Sequence, residues 1–427
     1  DSKMRKTIFA LVLFLTSLLL MPTGMAQTGK SVTPTIYLDQ IAPQSLSRSL
    51  QTVMPTHPRV EAAKAGLEAT YARLRAADQA LYNPELELDA ERTEIDTGYI
   101  QIGQTIDLGD QRGARTQVAQ AELAGAKADY LLAVQGLSRD LLVALAKERT
   151  AREQAELADR GLKLMRQFAD IAEQRHKAGD INQVDLDLAR LAYNEALMVH
   201  AQSLAEAAAA RQELRAQFVS LPASLPNLPE SMPKPELPQD QETFFRTLPI
   251  MRVREAQVAA TRHTIKLRES ERSWDPTIAV RGGKEDQESL IGATITIPLN
   301  IRNTYQAEVD EARQILVENE RSALVAYRNQ RATVLASTER YHLLQKAWRN
   351  WRKTGRISIN RQLNLIERLW RAGDMSTAEY LVQLKQALDT QAAGLELRGQ
   401  LWKSGFDWLY ETASIDTWLN IKIKEQD

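Results

Sequence analysis

The most regular pattern in the chain is a row of apolar residues that recurs every seven positions through a stretch without proline, from Gly113 to Lys177. The row consists of Leu123, Tyr130, Leu137, Ala144, Ala151, Ala158, Met165 and Ala172, and a companion row lies four residues later. A heptad spacing sustained over this length predicts a coiled coil. At 1.5 Å per residue the helix would be about 100 Å long, which no compact globular domain needs. A second helix of this kind is predicted from about Asn303 to Arg371.

Ahead of each long helix, apolar and polar residues alternate with a period of two. The apolar set in the first region is Leu86, Leu88, Ala90, Ile100, Ile102, Ile106 and Leu108. In the second region it is Ile291, Ala293, Ile295, Ile297 and Leu299, with Ile278 and Val280 marking a weaker partner strand. This alternation predicts two pairs of β-strands, each with one apolar face and one polar or acidic face.

The same landmarks occur twice in the same order. The pairs are His57-Pro58 with Leu248-Pro249, Asn83-Pro84 with Asp275-Pro276, Ile106-Asp107-Leu108 with Ile297-Pro298-Leu299, and Ala178-Gly179-Asp180-Ile181 with Ala372-Gly373-Asp374-Met375. Their separations are 191, 192, 191 and 194 residues. Because this spacing is far longer than a solenoid repeat, it indicates a tandem duplication of one large unit. Each unit is predicted to contain a helix, a strand pair, a very long helix, a tight turn and a further helix.

The landmarks also set the predicted boundaries of the chain. These are a signal peptide at 1–26, an N-terminal extension at 27–56, a first repeat at 57–218, a linker at 219–247, a second repeat at 248–404 and a C-terminal segment at 405–427. The linker holds six prolines between Pro222 and Pro238, so we expect it to be extended. The first helix of the first repeat is expected to run from about Pro58 to Tyr82.

The first residues indicate export from the cytoplasm. Arg5 and Lys6 precede an apolar run from Ile8 to Met21, and Gly24-Met25-Ala26 follows as a small-residue cleavage site. This is the pattern of a secretory signal peptide, and the run is short against the roughly 20 residues of a membrane-spanning helix. An uncleaved membrane anchor is the alternative. An exported chain without a membrane helix is expected to be either soluble in the periplasm or part of a β-barrel.

Charge and cysteine content narrow the function classes. Lys and Arg total 54 against 55 Asp and Glu, which gives no electrostatic reason to expect a nucleic-acid partner. With no cysteine in the sequence, disulfides, thiolate metal sites and cysteine nucleophiles are excluded. Four two-faced strands of about ten residues have the length of a membrane strand but cannot close a barrel alone. Three chains with four strands each would close a twelve-stranded barrel.

Several motifs resemble the TolC-type outer-membrane factor family. The order of elements, given twice, resembles this family from about residue 45 to residue 410. The segments Asn83-Pro84-Glu85-Leu86, Ile106 to Arg112 and Ile297 to Asn303, with the following Glu308 to Ala312, are similar to its CzcC-type branch. That branch serves export of heavy-metal ions by resistance-nodulation-division pumps. The resemblance therefore implies a passive duct of a tripartite efflux system and not an enzyme.

The family resemblance implies a fold and a set of partners. The expected fold is mainly α with a small β part: a trimeric outer-membrane β-barrel continued by a long periplasmic α-helical coiled-coil barrel. The expected partners are two further copies of the chain, a periplasmic adaptor (membrane fusion protein), an inner-membrane pump and outer-membrane lipid. No cofactor is expected. Ducts for drug efflux or for type I protein secretion remain alternatives within the same family.

The two glycine turns are the first candidate sites. Ala178-Gly179-Asp180 and Ala372-Gly373-Asp374 each follow a cationic helix end. Cations and glycine also suit any helix C-terminus, and either aspartate could cap the next helix, so ordinary turn chemistry is a sufficient explanation. The family resemblance adds that such turns lie at the periplasmic mouth and dock the adaptor.

One acid follows each turn at the same distance. Asp185 and Glu379 each lie six residues after the glycine, where the family places acids that line the narrow aperture and favour cations. An ordinary solvated helix face is the alternative.

The remaining chemistry argues against an enzyme or a metal site. The histidines are His57, His176, His200, His263 and His342, and none of them has a metal-binding spacing to another. No nucleophile motif, phosphate-binding loop or paired acid and base is present, which disfavours a secreted lytic enzyme. A periplasmic adaptor would carry one helical hairpin, whereas two hairpins and two strand pairs are predicted here.

Overall fold

The computed structural model describes residues 36–92, 96–218 and 225–421. The predicted signal peptide and the first part of the predicted extension lie outside these ranges. The helices are α1 Gln44–Val53, α2 Pro58–Ala77, α3 Gln111–Ala178, α4 Gln183–Gln217, α5 Gln241–Thr247, α6 Pro249–Ser270, α7 Gln306–Ala372, α8 Thr377–Glu411 and α9 Ile415–Leu419. The strands are β1 Glu85–Arg92, β2 Asp96–Thr105, β3 Thr277–Glu285 and β4 Glu288–Thr296. A one-turn 3₁₀ helix, Met54–Thr56, joins α1 to the start of α2.

The same order of elements occurs twice along the chain, as the sequence repeat predicts. Helix α2, the β1–β2 pair, α3 and α4 form the first series, and α6, the β3–β4 pair, α7 and α8 form the second. The two long helices extend over 68 and 67 residues, close to their predicted spans. The heptad seam of α3 is its packed side, since Leu137, Ala144, Met165 and Ala172 are buried.

The described strands form one antiparallel sheet in the order β1-β2-β3-β4, so β1 and β4 are its two edges. One face is apolar yet open to solvent in the single chain. Its exposed side chains are Leu86, Leu88, Ile100, Ile102, Ile278, Val280, Ile291 and Ile295. The register aligns them in rows, for example Leu86 with Ile102 and Ile102 with Val280. A soluble sheet would cover such a face, so it calls for an apolar environment.

The helices, like the strands, lie side by side and leave an uncovered helix at each edge of the layer. Next to the sheet, α3 packs against α2 and α6, and α6 packs against α7. Towards the glycine turns, α3 packs against α4 and α8, and α8 packs against α7. The outer elements are therefore α2 and α4 on the β1 side and α7 on the β4 side. No helix in the described ranges is long and apolar enough to span a bilayer.

The largest buried cluster lies where the ends of the chain meet the middle of the long helices. It contains Leu46 and Leu50 from α1, Leu137 and Leu141 from α3, and Phe406 and Trp408 from α8, together with Trp418. The described part of the proline-rich segment, residues 225–240, crosses this region without helix or strand. Its carbonyls accept hydrogen bonds from α7 and α8, including Trp402 Nε1 to Pro229 (2.9 Å). The predicted linker, 219–247, is not extended throughout, because its last seven residues form α5.

Three predicted element ends were wrong. Helix α2 ends at Ala77 and not near Tyr82, because side chains of α3 bind its last carbonyls: Arg115 Nε and Thr116 Oγ1 both donate to Ala77. Strands β2 and β4 end at Thr105 and Thr296, before the predicted Ile106–Leu108 and Ile297–Leu299. After β2, the carboxylate of Asp107 turns the chain by accepting from the N–H groups of Gln111 and Arg112, both at 2.8 Å. After β4, Pro298 has no N–H to continue a ladder.

A buried carboxylate joins the sheet to the helices. Asp275, which is 7% exposed, accepts hydrogen bonds from Tyr82 Oη (2.9 Å), Gln111 Nε2 (2.8 Å) and the Leu108 N–H (3.1 Å). Burial and the neighbouring Asp275 raise the pKa of Tyr82 to about 12, so its hydroxyl remains a donor. All three donors belong to the first repeat, whereas Asp275 belongs to the second.

Candidate functional site

Each of the two long helices ends in an exposed turn, and the two turns have the same conformation. Gly179 and Gly373 have φ of 84° and 86°, the left-handed region that glycine adopts without strain. The Gly179 N–H donates to the His176 carbonyl (3.0 Å), and the Asp180 N–H donates to the Arg175 carbonyl (2.8 Å). The same two bonds recur at the second turn, at 3.1 Å and 3.0 Å. Both are Schellman caps, which the glycine and the preceding cations indicate in the sequence.

The residues that cap the following helices differ from those expected. Asn182 Oδ1 accepts from the Asp185 N–H (2.9 Å), and Ser376 Oγ accepts from the Glu379 N–H (3.2 Å). The suggestion that Asp180 or Asp374 caps the next helix was therefore wrong. The reason is geometric, because each cap must be the residue just before the first helical turn, two positions beyond the aspartate.

One arginine ties the two turns together. Arg175, at the end of α3, donates through Nη2 to the Trp370 carbonyl (2.9 Å) and to the Arg371 carbonyl (3.2 Å) at the end of α7. Its guanidinium also lies 5.0 Å from the centroid of the Trp370 ring. A cation on the last carbonyls of a second helix interacts favourably with that helix's dipole as well. The two turns are therefore neighbours held by one side chain.

An aromatic core supports the turns from behind. Phe168 of α3, Trp370 of α7 and Tyr380 of α8 pack together, with ring centroids 5.0 Å, 4.6 Å and 5.3 Å apart. Leu186 of α4 joins them, so all four helices contribute. Burial raises the pKa of Tyr380 to about 12. The sequence analysis did not identify this core. The one signal for it is Trp370, a large aromatic residue three residues before its glycine, where the other repeat has His176.

The two candidate acids occupy equivalent positions, and one of them already has a structural role. Asp185 is half-buried and Glu379 is exposed, each at the third residue of its helix. The Glu379 carboxylate accepts from the Ser376 N–H (3.0 Å) and from Ser376 Oγ (2.8 Å), which completes a capping box. These hydrogen bonds, that from the Ser376 hydroxyl first, hold the pKa of Glu379 below its ordinary value.

This capping box predicts a pH dependence at the start of α8. Because the folded-state pKa of Glu379 is depressed, its contribution is present above the ordinary glutamate pKa of about 4.3 and is lost as pH falls through the folded value. We expect amides of residues 376–380 to lose hydrogen-exchange protection in that range. The control is Glu379→Gln, which should remove the pH dependence; a wild-type profile identical to that of the variant would contradict the prediction.

The polar face of the sheet is strongly acidic. It carries Glu85, Glu87, Asp89, Glu91, Glu285 and Glu288, against the single cation Arg281. Tyr99 Oη donates to Asp89 Oδ2 (3.1 Å), Gln101 Nε2 donates to Glu87 Oε2 (2.6 Å), and the Arg281 guanidinium lies 5.4 Å from the Tyr99 ring centroid. Within the described sheet, one face is thus apolar and the other presents carboxylates.

The chain is similar to known outer-membrane channels in sequence and in fold. Residues 50–218 match the family model described as outer membrane efflux protein. The cobalt-zinc-cadmium resistance protein CzcC of Cupriavidus metallidurans is 28% identical over 322 residues, 69% of this chain and 74% of CzcC.

Solved structures share the fold at low identity. The channel CusC superimposes with a TM-score of 0.74 at 14% identity, covering 87% of this chain and 93% of CusC. The Campylobacter jejuni CmeC channel gives 0.71 at 12%, covering 88% and 89%. The Neisseria gonorrhoeae MtrE channel gives 0.72 at 15%, covering 88% and 90%.

The first repeat of the chain is thus similar to outer membrane efflux proteins, and the described chain has the fold of the solved outer-membrane channels.

The solved structures that share this fold include outer-membrane channels. Among the residues that the structure describes, no group of three or more His, Asp or Glu side chains could hold a metal ion. His57 has a structural role as the N-cap of α2, since Nδ1 accepts from the Arg59 N–H (3.1 Å) and Nε2 lies 3.0 Å from the Gln217 carbonyl. The candidate functional features of the chain are therefore the paired turns, the acids behind them and the two-faced sheet.

Proposed function

We propose that this protein is an outer-membrane efflux channel and the exit duct of a tripartite system that exports heavy-metal cations. Three copies would form the duct, and a periplasmic adaptor would join it to an inner-membrane resistance-nodulation-division pump. The observation that carries the substrate class is the polar face of the sheet, with six carboxylates and one guanidinium. A wall with this charge concentrates cations and repels anions. The 28% identity to a protein named for cobalt, zinc and cadmium resistance supports the same class.

The open edges of the sheet support the trimer. Unpaired N–H and C=O groups along β1 and β4 are not tolerated in lipid, and four strands are half the number in the smallest single-chain barrels. Pairing β4 of one copy with β1 of the next removes both edges. Three copies would place twelve strands in one closed barrel, with the apolar face on lipid and the acidic face on the lumen.

The edge helices carry apolar residues that lack a partner in the single chain. On α4, Val184, Leu191 and Met198 recur every seven residues and are 68%, 65% and 66% exposed. On the half of α7 nearest its glycine turn, Leu343 and Leu365 also remain exposed. Such rows form the seam of a coiled coil when a second helix covers them. Helix α7 of a neighbouring copy would cover α4. This is the same subunit boundary at which β4 of the neighbouring copy would pair with β1.

The turns would form the adaptor contact. The residues of this contact would be Ala178, Gly179, Asp180, Ala372, Gly373 and Asp374. All six are exposed, the two turns have the same backbone, and Arg175 and the aromatic core hold them in fixed relation. Preorganised, solvent-facing turns suit a contact that must form and persist. Asp185 and Glu379, just behind them, would line the narrow end of the duct and attract cations.

The test is metal tolerance in the organism that carries the gene. Deletion should increase sensitivity to cobalt, zinc and cadmium and raise the cellular content of these metals. Wild-type protein should restore tolerance, and the variant with Asp185→Asn and Glu379→Gln should restore it only in part. These amides preserve size, and the amide oxygen introduced by Glu379→Gln can still accept at the cap, so helix starts are retained. Unchanged metal tolerance with new sensitivity to organic drugs would contradict the proposal and favour a drug-efflux duct.

A further inference from the structure

The two hairpins of the sheet are repeats with a common starting point. Pro84 precedes β1 and Pro276 precedes β3. The residue after the first proline, Glu85, pairs with Gly103, and the residue after the second, Thr277, pairs with Thr296. Gly103 and Thr296 therefore occupy the same position in the two ladders, opposite the first residue after the proline.

Within one chain, the structure shows how the first hairpin meets the second. Gly103 of β2 pairs with Ala279 of β3, the third residue after its proline. The third residue after the first proline is Glu87. We infer that the subunit boundary repeats this geometry, so that Thr296 of one copy pairs with Glu87 of the partner subunit. This inference rests on the proposed trimer and assigns the register of its barrel.

The register determines every other pair along the boundary. Because the strands are antiparallel, Ile295 lies opposite Leu88 of the partner subunit and Thr294 lies opposite Asp89 of the partner subunit. The apolar pair falls on the lipid-facing side and the polar pair falls on the lumen side. A slip by one residue would place Ile295 opposite a carboxylate and reverse the faces. A slip by two would keep the faces, so it is the pairing of β1, β2, β3 and β4 within one chain that selects this register.

The assigned register extends a polar network that exists within one chain. Asp89 already accepts from Tyr99 Oη through Oδ2, and Tyr99 lies beneath the Arg281 guanidinium. The hydroxyl of Thr294 is a donor, and the carboxylate of Asp89 of the partner subunit is an acceptor on the same face. A hydrogen bond from the neutral Thr294 hydroxyl would therefore link the lumen face of one subunit to Asp89 of the partner subunit. A carboxylate in place of Thr294 would be repelled by Asp89 of the partner subunit.

Disulfide cross-linking reads the register directly, because the chain has no cysteine of its own. Thr294→Cys with Asp89→Cys should give covalent trimers in oxidised membranes, resolved on a non-reducing gel. Directly opposed residues have Cβ atoms about 4.5–5.5 Å apart and diagonal neighbours about 7–8 Å, whereas a disulfide needs about 3.5–4.5 Å. Strands β2 and β3 separate the two sites within one chain by about three strand spacings of 4.8 Å, so the bond cannot form internally.

The matched controls lie on the same face, two residues to either side: Thr294→Cys with Glu87→Cys, and Thr294→Cys with Glu91→Cys. Thr296→Cys with Glu87→Cys reads the same register and retains Asp89, in case that side chain is needed for folding. Preferential cross-linking of a control pair would overturn the register. No cross-link in either expected pair, while the wild-type protein runs as a conducting trimer, would also overturn it and leave the proposed duct standing. A wild-type protein that is monomeric in the membrane would contradict both.

Discussion

Ile102→Arg is expected to prevent stable insertion of the barrel, whereas Gln101→Arg on the adjacent position should be tolerated. Ile102 is 60% exposed on the apolar face, between Leu86 and Val280. An arginine facing lipid near the bilayer midplane costs about 2–4 kcal/mol in barrels of this type, and a trimer carries it three times. Gln101 points to the acidic face, where an added guanidinium would lie in water between Glu87 and Arg281, on a face that carries six carboxylates.

The measurement is the amount of heat-resistant trimer in purified outer membranes, followed by urea unfolding of what is recovered. Both variants add the same charge to the same central strand, so only the face differs. Equal loss of trimer for the two substitutions, or none for either, would contradict the assignment of one face to lipid and the other to the lumen.

Gly373→Val is expected to abolish efflux while trimers still reach the membrane. An added Cβ at Gly373 would meet nothing within 4 Å, so the site has room for a side chain. The penalty comes from the backbone, because φ of 86° is strained for a β-branched residue. The cost is about 1–3 kcal/mol and falls on the turn alone. The turn should refold in another conformation and lose the arrangement that we propose for docking.

The control is Gly373→Asn, since asparagine tolerates the left-handed region far better than valine. It adds a side chain of similar size into the same open space and should retain most of the efflux. Cross-linking to the adaptor should fall for the valine variant in proportion to efflux. If valine and asparagine reduced efflux equally, the side chain and not the backbone would be responsible. If trimers disappeared, the glycine would be needed for assembly alone.

The long helices and the duplicated order could be predicted because periodicity and spacing are local in the sequence. Residues Gly113 to Lys177 were expected to be helical, and α3 spans Gln111–Ala178. The glycine turns were also predictable, since an αL exit favours glycine whatever surrounds it. Two identical signals nearly two hundred residues apart strengthened both interpretations.

Contacts between distant segments could not be read in this way. The end of α2 at Ala77 depends on Arg115, which is 38 residues away. The bridge from Arg175 to Trp370 joins residues 195 apart, and nothing in the heptad pattern indicates it. The role of Glu379 in a capping box was predictable in principle, because Ser376 lies three residues before it. The family resemblance implied instead that Glu379 lines an aperture.

Asp275 has a consequence for how the chain must fold and for how far its halves can be separated. Its carboxylate is buried, and Tyr82, Leu108 and Gln111 all reach it from the other repeat. A buried acceptor deprived of its donors costs about 1–3 kcal/mol, and more when it is charged. Neither half of the chain can complete this joint by itself. During synthesis, the donors of the first repeat therefore lack their buried acceptor until the second half has emerged. A gene cut at the linker would yield two fragments that need each other, so the duplicated units have become parts of one cooperative structure.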